Sequence, residues 1–106
     1  MENSMSKTQT LTKKQQKFLV GIAHGLNPMI IIGANGVTES LMAELENTLE
    51  HHEILKIKMA SAEREDRKTI VDYILKETGA ALVQSIGKTC VIYRKSQDSD
   101  FDLPKS

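Results

Sequence analysis

The chain has 106 residues, with 14 basic and 14 acidic side chains, one cysteine and no tryptophan. This length fits one domain with its own hydrophobic core, and the lone Cys90 excludes both an internal disulfide and a cysteine-type zinc site. The longest apolar run, residues 29–32, is far shorter than the roughly 20 residues that a membrane helix needs, and the polar first ten residues hold no apolar signal-peptide core. We therefore expect a soluble, reduced, cytoplasmic protein with no membrane partner.

The net charge of zero is a cancellation between blocks of opposite sign. Residues 7–36 contain four lysines and no acid, residues 37–55 contain five acids and no lysine or arginine, and residues 84–95 contain three bases and no acid. A folded chain with such blocks can present a basic face and an acidic face. The basic face alone sets the local attraction for phosphate, so neutrality does not exclude a nucleic-acid partner.

The chain opens with a polar stretch, residues 1–10, that we interpret as a flexible leader. Thr12 and Gln15 have the spacing of a capping box, in which each side chain bonds the other residue's backbone N–H, so a helix begins here. Three apolar residues share one face of this helix and three lysines fall away from it. The apolar residues are Phe18, Leu19 and Ile22, and the lysines are Lys13, Lys14 and Lys17. Gly25 and Pro28 end the helix.

A short strand and a second helix follow. Residues 29–32 are apolar, rich in isoleucine and bounded by Pro28 and Gly33, a pattern that favours a buried strand. Residues 33–36 form a loop. Thr38 has the character of an N-cap, and an apolar stripe continues from it to about His51, which predicts the second helix.

The second half of the chain contains three strands and one helix. Residues 54–59 alternate apolar side chains with lysines, which is typical of a half-buried strand. A charged loop at 61–66 precedes a third helix, with Asp66 as its cap and Gly79 as its left-handed end. Residues 81–86 and 89–93 are strands, joined by Gly87 and Lys88 in a type II′ hairpin. Residues 96–106 form an acidic, polar tail.

The predicted order is helix, strand, helix, strand, helix, strand, strand. Helical crossovers favour parallel pairing of the earlier strands, whereas the final hairpin is antiparallel. The expected fold is one α/β domain, residues 11–95, with a mixed four-stranded sheet packed with helices.

The segment Gly33-Ala34-Asn35-Gly36 is the most informative for function, because it joins a strand to the N-terminus of a helix. Two glycines three apart allow another backbone to approach closely, and the loop and helix end offer N–H groups and positive dipole to a phosphate. KH domains clamp the sugar–phosphate backbone of RNA with a GxxG loop of this kind. A plain turn is the alternative, because a lone GxxG is a weak motif. The segment lacks the third glycine of a dinucleotide fingerprint and the Gly-Lys-Ser/Thr of a Walker loop.

Lysines on the first helix, on one face of the second strand and around the hairpin favour the phosphate interpretation. A solvated surface is the alternative interpretation, but residues 7–36 hold no acid among their lysines. Phosphate contacts of this kind bring affinity and salt dependence rather than sequence specificity. The four aromatic residues are too few for a base-stacking sheet of the RNA-recognition-motif type, and we expect Phe18 and Tyr73 in the core or at its boundary.

Catalytic and metal chemistry find little support in the sequence. His51 and His52 are adjacent and point about 100° apart on a helix, so they are poorly placed to chelate one ion, and a helix C-terminus attracts histidine in any case. His24 is placed either to reach a phosphate or base or simply to end a helix. Cys90 alternates within a strand and is expected to be buried. We expect no catalytic group, no metal and no cofactor.

Taken together, the chain from about Leu11 to Arg94 resembles the CRM domain, named for chloroplast RNA splicing and ribosome maturation. It is most similar to the stand-alone bacterial members of that family, the YhbY-type RNA-binding proteins. No single motif is specific, but the matching stretches occur in the right order. They are residues 11–15, 32–38, 49–53, 56–58, 77–80, 86–89 and 93–94.

This resemblance implies a fold like that of the C-terminal domain of bacterial translation initiation factor three. It implies association with precursors of the large ribosomal subunit, the pre-50S particles, with the GxxG loop and nearby basic residues as the contact to ribosomal RNA. The protein is then expected to be a non-enzymatic, monomeric RNA-binding factor. The site residues implied are Gly33, Ala34, Asn35, Gly36, Lys13, Lys14, Lys17, Lys56, Lys58, Lys88 and Arg94.

Two departures from the family pattern bear on this expectation. Ala34 stands where many CRM domains carry a basic residue, which removes one phosphate contact. The tail carries Asp98, Asp100 and Asp102, which either repel RNA or meet a basic ribosomal protein. A rival hypothesis is a protein-interaction adaptor that docks a basic partner on the ribosome or its precursors through acids of the second helix. Those acids are Glu39, Glu46, Glu50 and Glu53. An enzyme ranks third, for lack of paired catalytic groups.

Overall fold

The computed structural model describes residues 11–60 and 63–95, so the expected leader and acidic tail lie outside the described residues. Three helices and four strands follow one another in the predicted order. They are α1 (Lys13–Ala23), β1 (Ile30–Ile32), α2 (Glu39–His52), β2 (Ile54–Met59), α3 (Arg64–Thr78), β3 (Ala81–Ile86) and β4 (Thr89–Tyr93). The prediction of one α/β domain with a mixed four-stranded sheet is confirmed.

The strands lie in the order β1-β2-β4-β3, with β1 and β3 at the edges. Helix α2 carries the chain from β1 to a neighbouring parallel strand, β2, as helical crossovers do. The hairpin then returns β4 between β2 and β3, antiparallel to both. Gly87 has a φ of +57°, the conformation that the first position of a type II′ turn requires.

The helix ends form where the sequence indicates. The Thr12 hydroxyl accepts a hydrogen bond from the Gln15 backbone N–H at 3.1 Å, and the Gln15 side chain accepts one from the Thr12 N–H at 3.0 Å, which completes the capping box. The Thr38 hydroxyl accepts from the Leu41 N–H at 3.1 Å. Gly79, with a φ of +73°, ends α3 in the left-handed conformation.

The sheet separates two apolar clusters. On one side, which we call the α2/α3 face, Leu45 and Leu49 of α2 and Ile74 of α3 pack against alternate residues of the strands, among them Ile57 and Ile92. The opposite side, the α1 face, carries a smaller cluster. Its buried members are Leu19, Ala23, Ile54, Val83, Val91 and Tyr93.

Helix α1 crosses only part of its face of the sheet. It begins beside β3, where the Gln16 side-chain amide donates to the Val83 carbonyl at 2.8 Å. It ends beside β2, where the Lys56 ammonium donates to the carbonyls of Ala23 and Leu26 at 3.4 and 3.2 Å. The buried cluster under α1 includes the residues at the start of β2 and the end of β4, so the other end of this face is open.

Three sequence-based expectations are corrected by the structure. The isoleucine run was expected to be buried, but Ile31 in its middle is 61 % exposed, because β1 is an edge strand and α1 does not reach it. Helix α3 begins at Arg64 with Glu63 as its N-cap, so Asp66 lies in the first turn, where its charge favours the helix dipole, instead of capping the helix. Phe18 and Tyr73 are expected in the core or at its boundary, but both are exposed, at 36 % and 48 %, and the buried side chains of α1 are Leu19 and Ala23.

Candidate functional site

The GxxG loop (residues 33–36) follows β1 directly and is closed by one backbone hydrogen bond, from the Gly36 N–H to the Gly33 carbonyl at 3.0 Å. Gly36 has a φ of +69°, so its own conformation favours glycine. Gly33 has an ordinary φ, and a Cβ atom built there would meet nothing within 4 Å. The missing side chain at Gly33 therefore serves no contact within the described chain, and it leaves room for a group from outside.

The loop lies at one end of the sheet together with the end of β2 and the hairpin turn. The Ala60 N–H donates to the Ile32 carbonyl at 3.0 Å, and the Met59 N–H donates to the Lys88 carbonyl at 2.7 Å. The Lys88 ammonium lies 3.4 Å from the Ala60 carbonyl and is otherwise exposed. Backbone N–H groups of the loop and the charge of Lys88 are thus brought to the same edge of the molecule.

The N-terminus of α2 offers less to a phosphate than the sequence suggested. The Leu41 N–H already donates to the Thr38 hydroxyl, and Glu39 lies in the first turn of α2. An acid at this position already interacts favourably with the positive end of the helix dipole and repels a second anion. The end of α2 is therefore a less favourable position for an anion than the loop backbone.

Four residues form a row across the open end of the α1 face. Strand register places Ile31 opposite Lys58, Lys58 opposite Thr89, and Thr89 opposite Ile86. At about 4.8 Å between strands, this open row is roughly 14 Å long. The isoleucines at its two ends, Ile31 and Ile86, are 61 % and 64 % exposed, and Lys58 between them is also exposed. The open row is a surface of apolar and cationic side chains beside the GxxG loop.

Charge is divided between the two sides of the sheet. Every acidic residue in the described ranges lies on α2 or α3 or caps one of these helices. The charged residues of α1 and of the strands are all lysines. Lys13, Lys14 and Lys17 are exposed on α1, and Lys58 is exposed on the same side of the sheet. The block pattern of the sequence therefore gives a basic α1 face, whereas the α2/α3 side holds every described acid together with bases such as Lys68 and Lys76.

Besides Lys88, two of the predicted basic site residues have partners within the domain, and both are half-buried. Lys56 bonds the carbonyl of Ala23, the last residue of α1, and that of Leu26 just beyond it, where a cation stabilises the helix end. Arg94 follows β4 at the end of the sheet opposite the GxxG loop, about 17 Å away by the length of β2. Its guanidinium bonds Glu46 at 2.7 Å, Glu50 at 3.1 Å and the Thr78 carbonyl at 2.9 Å. The structure does not bring Arg94 to the loop.

The same contacts bear on the acidic surface of α2. Glu46 and Glu50 are paired with Arg94, and Glu53 is fully buried. Glu53 ends α2 with a φ of +65°, and its carboxylate accepts a hydrogen bond from the Tyr93 hydroxyl at 3.3 Å. Three of the four acids proposed to dock a basic partner are thus engaged inside the domain, and Glu39 alone of the four is exposed and outside any ion pair among the described residues.

Sequence reasoning missed the open row and the burial of Glu53. The alternation of β2 indicated that Lys56 and Lys58 share a face, but only strand register places Thr89 and Ile86 beside them. Glu53 follows a run of helical residues and gives no local signal of burial. Its hydrogen-bond partner, Tyr93, lies on β4, which is two strands later in the chain and next to β2 in the sheet.

Cys90 and the histidines behave as structural residues. Burial raises the pKa of the Cys90 thiol to about 12, so the thiol is protonated at neutral pH. His51 Nδ1 lies 2.7 Å from the Asn47 carbonyl, one helical turn earlier. Across residues 11–60 and 63–95, no three histidine, cysteine or acidic side chains cluster as metal ligands would. Among these residues no helix has the length and hydropathy to cross a bilayer.

The fold and the site define a class of protein, an α/β domain that carries a GxxG loop at the edge of a basic sheet face. The family assignment is direct, since the CRS1 / YhbY (CRM) domain model matches residues 11–94. This chain belongs to the CRS1 / YhbY (CRM) domain family, as its resemblance predicted.

Similar proteins from several bacteria span nearly the same length as this chain. A Haemophilus influenzae protein named as an RNA-binding protein is 49 % identical over 96 residues, which cover 91 % of this chain and 97 % of the relative. A probable RNA-binding protein of Pseudomonas aeruginosa is 45 % identical over 88 % of this chain and 89 % of its own. The solution structure of a Staphylococcus aureus protein superimposes on this chain with a TM-score of 0.76. That protein is described as hypothetical and as a candidate RNA-binding protein. It is 33 % identical and covers 90 % of this chain and all of its own.

Proposed function

We propose that this protein is a non-enzymatic RNA-binding factor that assists ribosome assembly by binding large-subunit ribosomal RNA in pre-50S particles. The observation that carries the proposal is the separation of charge by the sheet, which leaves the α1 face and the open row, at the end of the sheet from which the GxxG loop extends, without an acidic residue among those described. Relatives named as RNA-binding proteins, matched over most of their length, support the same class of ligand. The ribosomal target comes from the resemblance to the bacterial members of the family.

The proposed mode of binding has two parts. Backbone N–H groups of the GxxG loop donate to phosphate oxygens of the RNA backbone, which approaches closely at Gly33, where no side chain is present. Lys58 and Lys88 flank that position, and the lysines of α1 extend the positive surface across the same face. Phosphate contacts of this kind supply affinity and release counterions, so the association must weaken as the salt concentration rises.

The experiment that tests this function is sedimentation of tagged protein from a cell lysate through a sucrose gradient at low and at raised salt. Co-migration with large-subunit precursors at low salt, lost at high salt, is the expected result. Crosslinking would then locate the contact on the ribosomal RNA. Migration at the top of the gradient under both conditions would overturn the ribosomal target.

The adaptor function ranks second, because Arg94 and Tyr93 already engage three of the four acids that it needs. Glu39→Lys reverses the exposed acid of that set. We expect this variant to keep its place in the gradient and its affinity for RNA. Loss of ribosomal association with unchanged RNA binding would favour the adaptor instead. We further propose that the protein is a cytoplasmic monomer. Its acidic tail is proposed to contact a basic ribosomal protein.

A further inference from the structure

A pocket of about 250 Å³ lies on the α1 face, between the C-terminal end of α1 and the sheet. It adjoins the open row, with which it shares Ile86 and Thr89. The lining residues are His24, Lys56, Gln84, Ile86, Thr89 and Val91. Pockets for drug-sized molecules are commonly about 300 Å³ or larger, so this one suits a smaller group, the size of one heterocyclic ring system.

The wall of the pocket combines apolar and polar groups. Ile86 and Val91 supply aliphatic surface from two neighbouring strands. The side chains of His24, Gln84 and Thr89 make no hydrogen bond to any residue in the described ranges. The amide of Gln84 and the hydroxyl of Thr89 can each donate and accept. A flat ring with donors and acceptors along its edge matches both sets of groups.

The charge around the pocket selects among such rings. No acidic residue lines it, Lys56 is among its lining residues, and exposed Lys58 stands next to Thr89 in the open row. A ligand that carries an anion beside its ring is therefore favoured over a neutral ring. A nucleotide has this chemistry, and unpaired bases of RNA are commonly turned out and bonded along their edges.

We propose that this pocket binds one unstacked nucleobase of the RNA, which rests against Ile86 and Val91 while Gln84 and Thr89 bond its edge. The inference rests on the proposed RNA-binding function and assigns it a specificity site separate from the GxxG loop. The loop holds the backbone of any sequence, whereas the pocket reads one base. The nucleotide's phosphate lies toward Lys58.

The test uses the full chain and single-stranded RNA oligonucleotides of about 12 nucleotides, a length within the range that small RNA-binding domains cover. Homopolymers of each base are compared by fluorescence anisotropy. The tightest binder is reduced to the shortest length that keeps its affinity, so that it binds in one register, and is then made with one abasic position at each site in turn. We expect one abasic position to weaken binding roughly tenfold, and the others to weaken it much less.

The paired variant Gln84→Leu with Thr89→Val removes the polar groups and nearly keeps the side-chain volumes. In this variant the sensitive abasic position should cost less than about twofold, because the base has lost its partners. Ser85→Val is the matched control, since Ser85 is the neighbour of Gln84 on β3 and pairs with Cys90 on the α2/α3 face. It should keep the wild-type abasic profile.

An abasic profile that is unchanged in the paired variant would overturn the pocket and leave the proposed function standing. Absence of binding to every oligonucleotide by the wild-type protein would instead overturn RNA binding itself. If the paired variant does not fold, NMR of the wild-type protein decides the same question. The side-chain amide signals of Gln84 should shift with the intact oligonucleotide and stay in place with the sensitive abasic one, and equal shifts with both would overturn the proposal.

Discussion

The Nη1 atom of Arg94 lies 2.7 Å from Oε1 of Glu46, which ties the residue after β4 to the middle of α2. The same guanidinium reaches Glu50 and the Thr78 carbonyl, so one side chain joins α2, α3 and the sheet. Arg94 is 21 % exposed at its side chain, and its bonds are therefore only partly screened by water.

Replacement of Arg94 should therefore lower the stability of the fold and leave RNA affinity nearly unchanged. We expect Arg94→Ala to lower the free energy of unfolding by about 1.5–3 kcal/mol, since hydrogen bonds between charged groups are lost. RNA affinity measured on the folded fraction should change less than twofold. Urea unfolding and anisotropy titration measure the two quantities, with Lys76→Ala on α3 as the control for loss of one positive charge. A stable variant with weakened RNA binding would restore Arg94 to the RNA interface.

Substitutions of the two loop glycines should distinguish the need for a backbone conformation at Gly36 from the need for close contact with RNA at Gly33. Gly36→Ala forces a side chain into a φ of +69° and should lower the free energy of unfolding by about 1–2 kcal/mol. Gly33→Ala meets nothing within 4 Å, so its stability should stay within about 0.5 kcal/mol of the wild type while its RNA affinity falls. Thermal unfolding and RNA titration of both variants would show this split. Unchanged affinity in folded Gly33→Ala would remove the loop's close approach to RNA from the mechanism.

The open end of the sheet should determine the salt dependence of binding. Lys58→Ala and Lys88→Ala are each expected to weaken RNA binding and to reduce the slope of log K against log salt by about 0.7, the value for one single-strand phosphate contact. Lys68→Ala is the matched control, because Lys68 pairs with Asp72 at 2.9 Å on α3, among the acidic residues. Equal slopes for all three variants would place the phosphate contacts elsewhere.

Cys90 should make the fold sensitive to alkaline pH. Its pKa rises from 9.0 to about 12 on burial, so the folded chain keeps a proton that the unfolded chain releases. Stability from this residue is complete below pH 9 and is lost above it, by up to about 1.4 kcal/mol per pH unit toward pH 12. Urea unfolding of wild type and Cys90→Ala between pH 8 and pH 10 isolates the effect. Parallel pH profiles would show that the thiol does not contribute.

Local signals were sufficient to predict the elements of this fold. The Thr12–Gln15 box, Gly79 and Gly87 each set their structure through neighbours within a few residues, and the structure has all three as expected. The prediction that Asp66 caps α3 was wrong, because a carboxylate suits both an N-cap and a first helical turn, and the sequence does not distinguish the two positions.

The candidate site depended on longer-range information. Lys56 and Arg94 have the charge of RNA contacts, and nothing near them in sequence shows that the end of α1 or the acids of α2 will lie against them. Ile31 and Ile86 belong to strands at opposite edges of the sheet, and they share a row only through the pairing of two further strands. Strand register is therefore the information that a single sequence lacks.

Because every described acid belongs to or caps α2 or α3, the described part of the chain has an electric dipole across the sheet, although the net charge of the full sequence is zero. A neutral protein is only weakly drawn to nucleic acid across distances beyond a Debye length of about 8–10 Å. Under the proposed function, the field of an RNA surface would turn the domain within that distance, so that α1 and the open row approach first and α2 points away. The protein would then be oriented before contact, without the strong non-specific binding to polyanions that is typical of a strongly cationic protein.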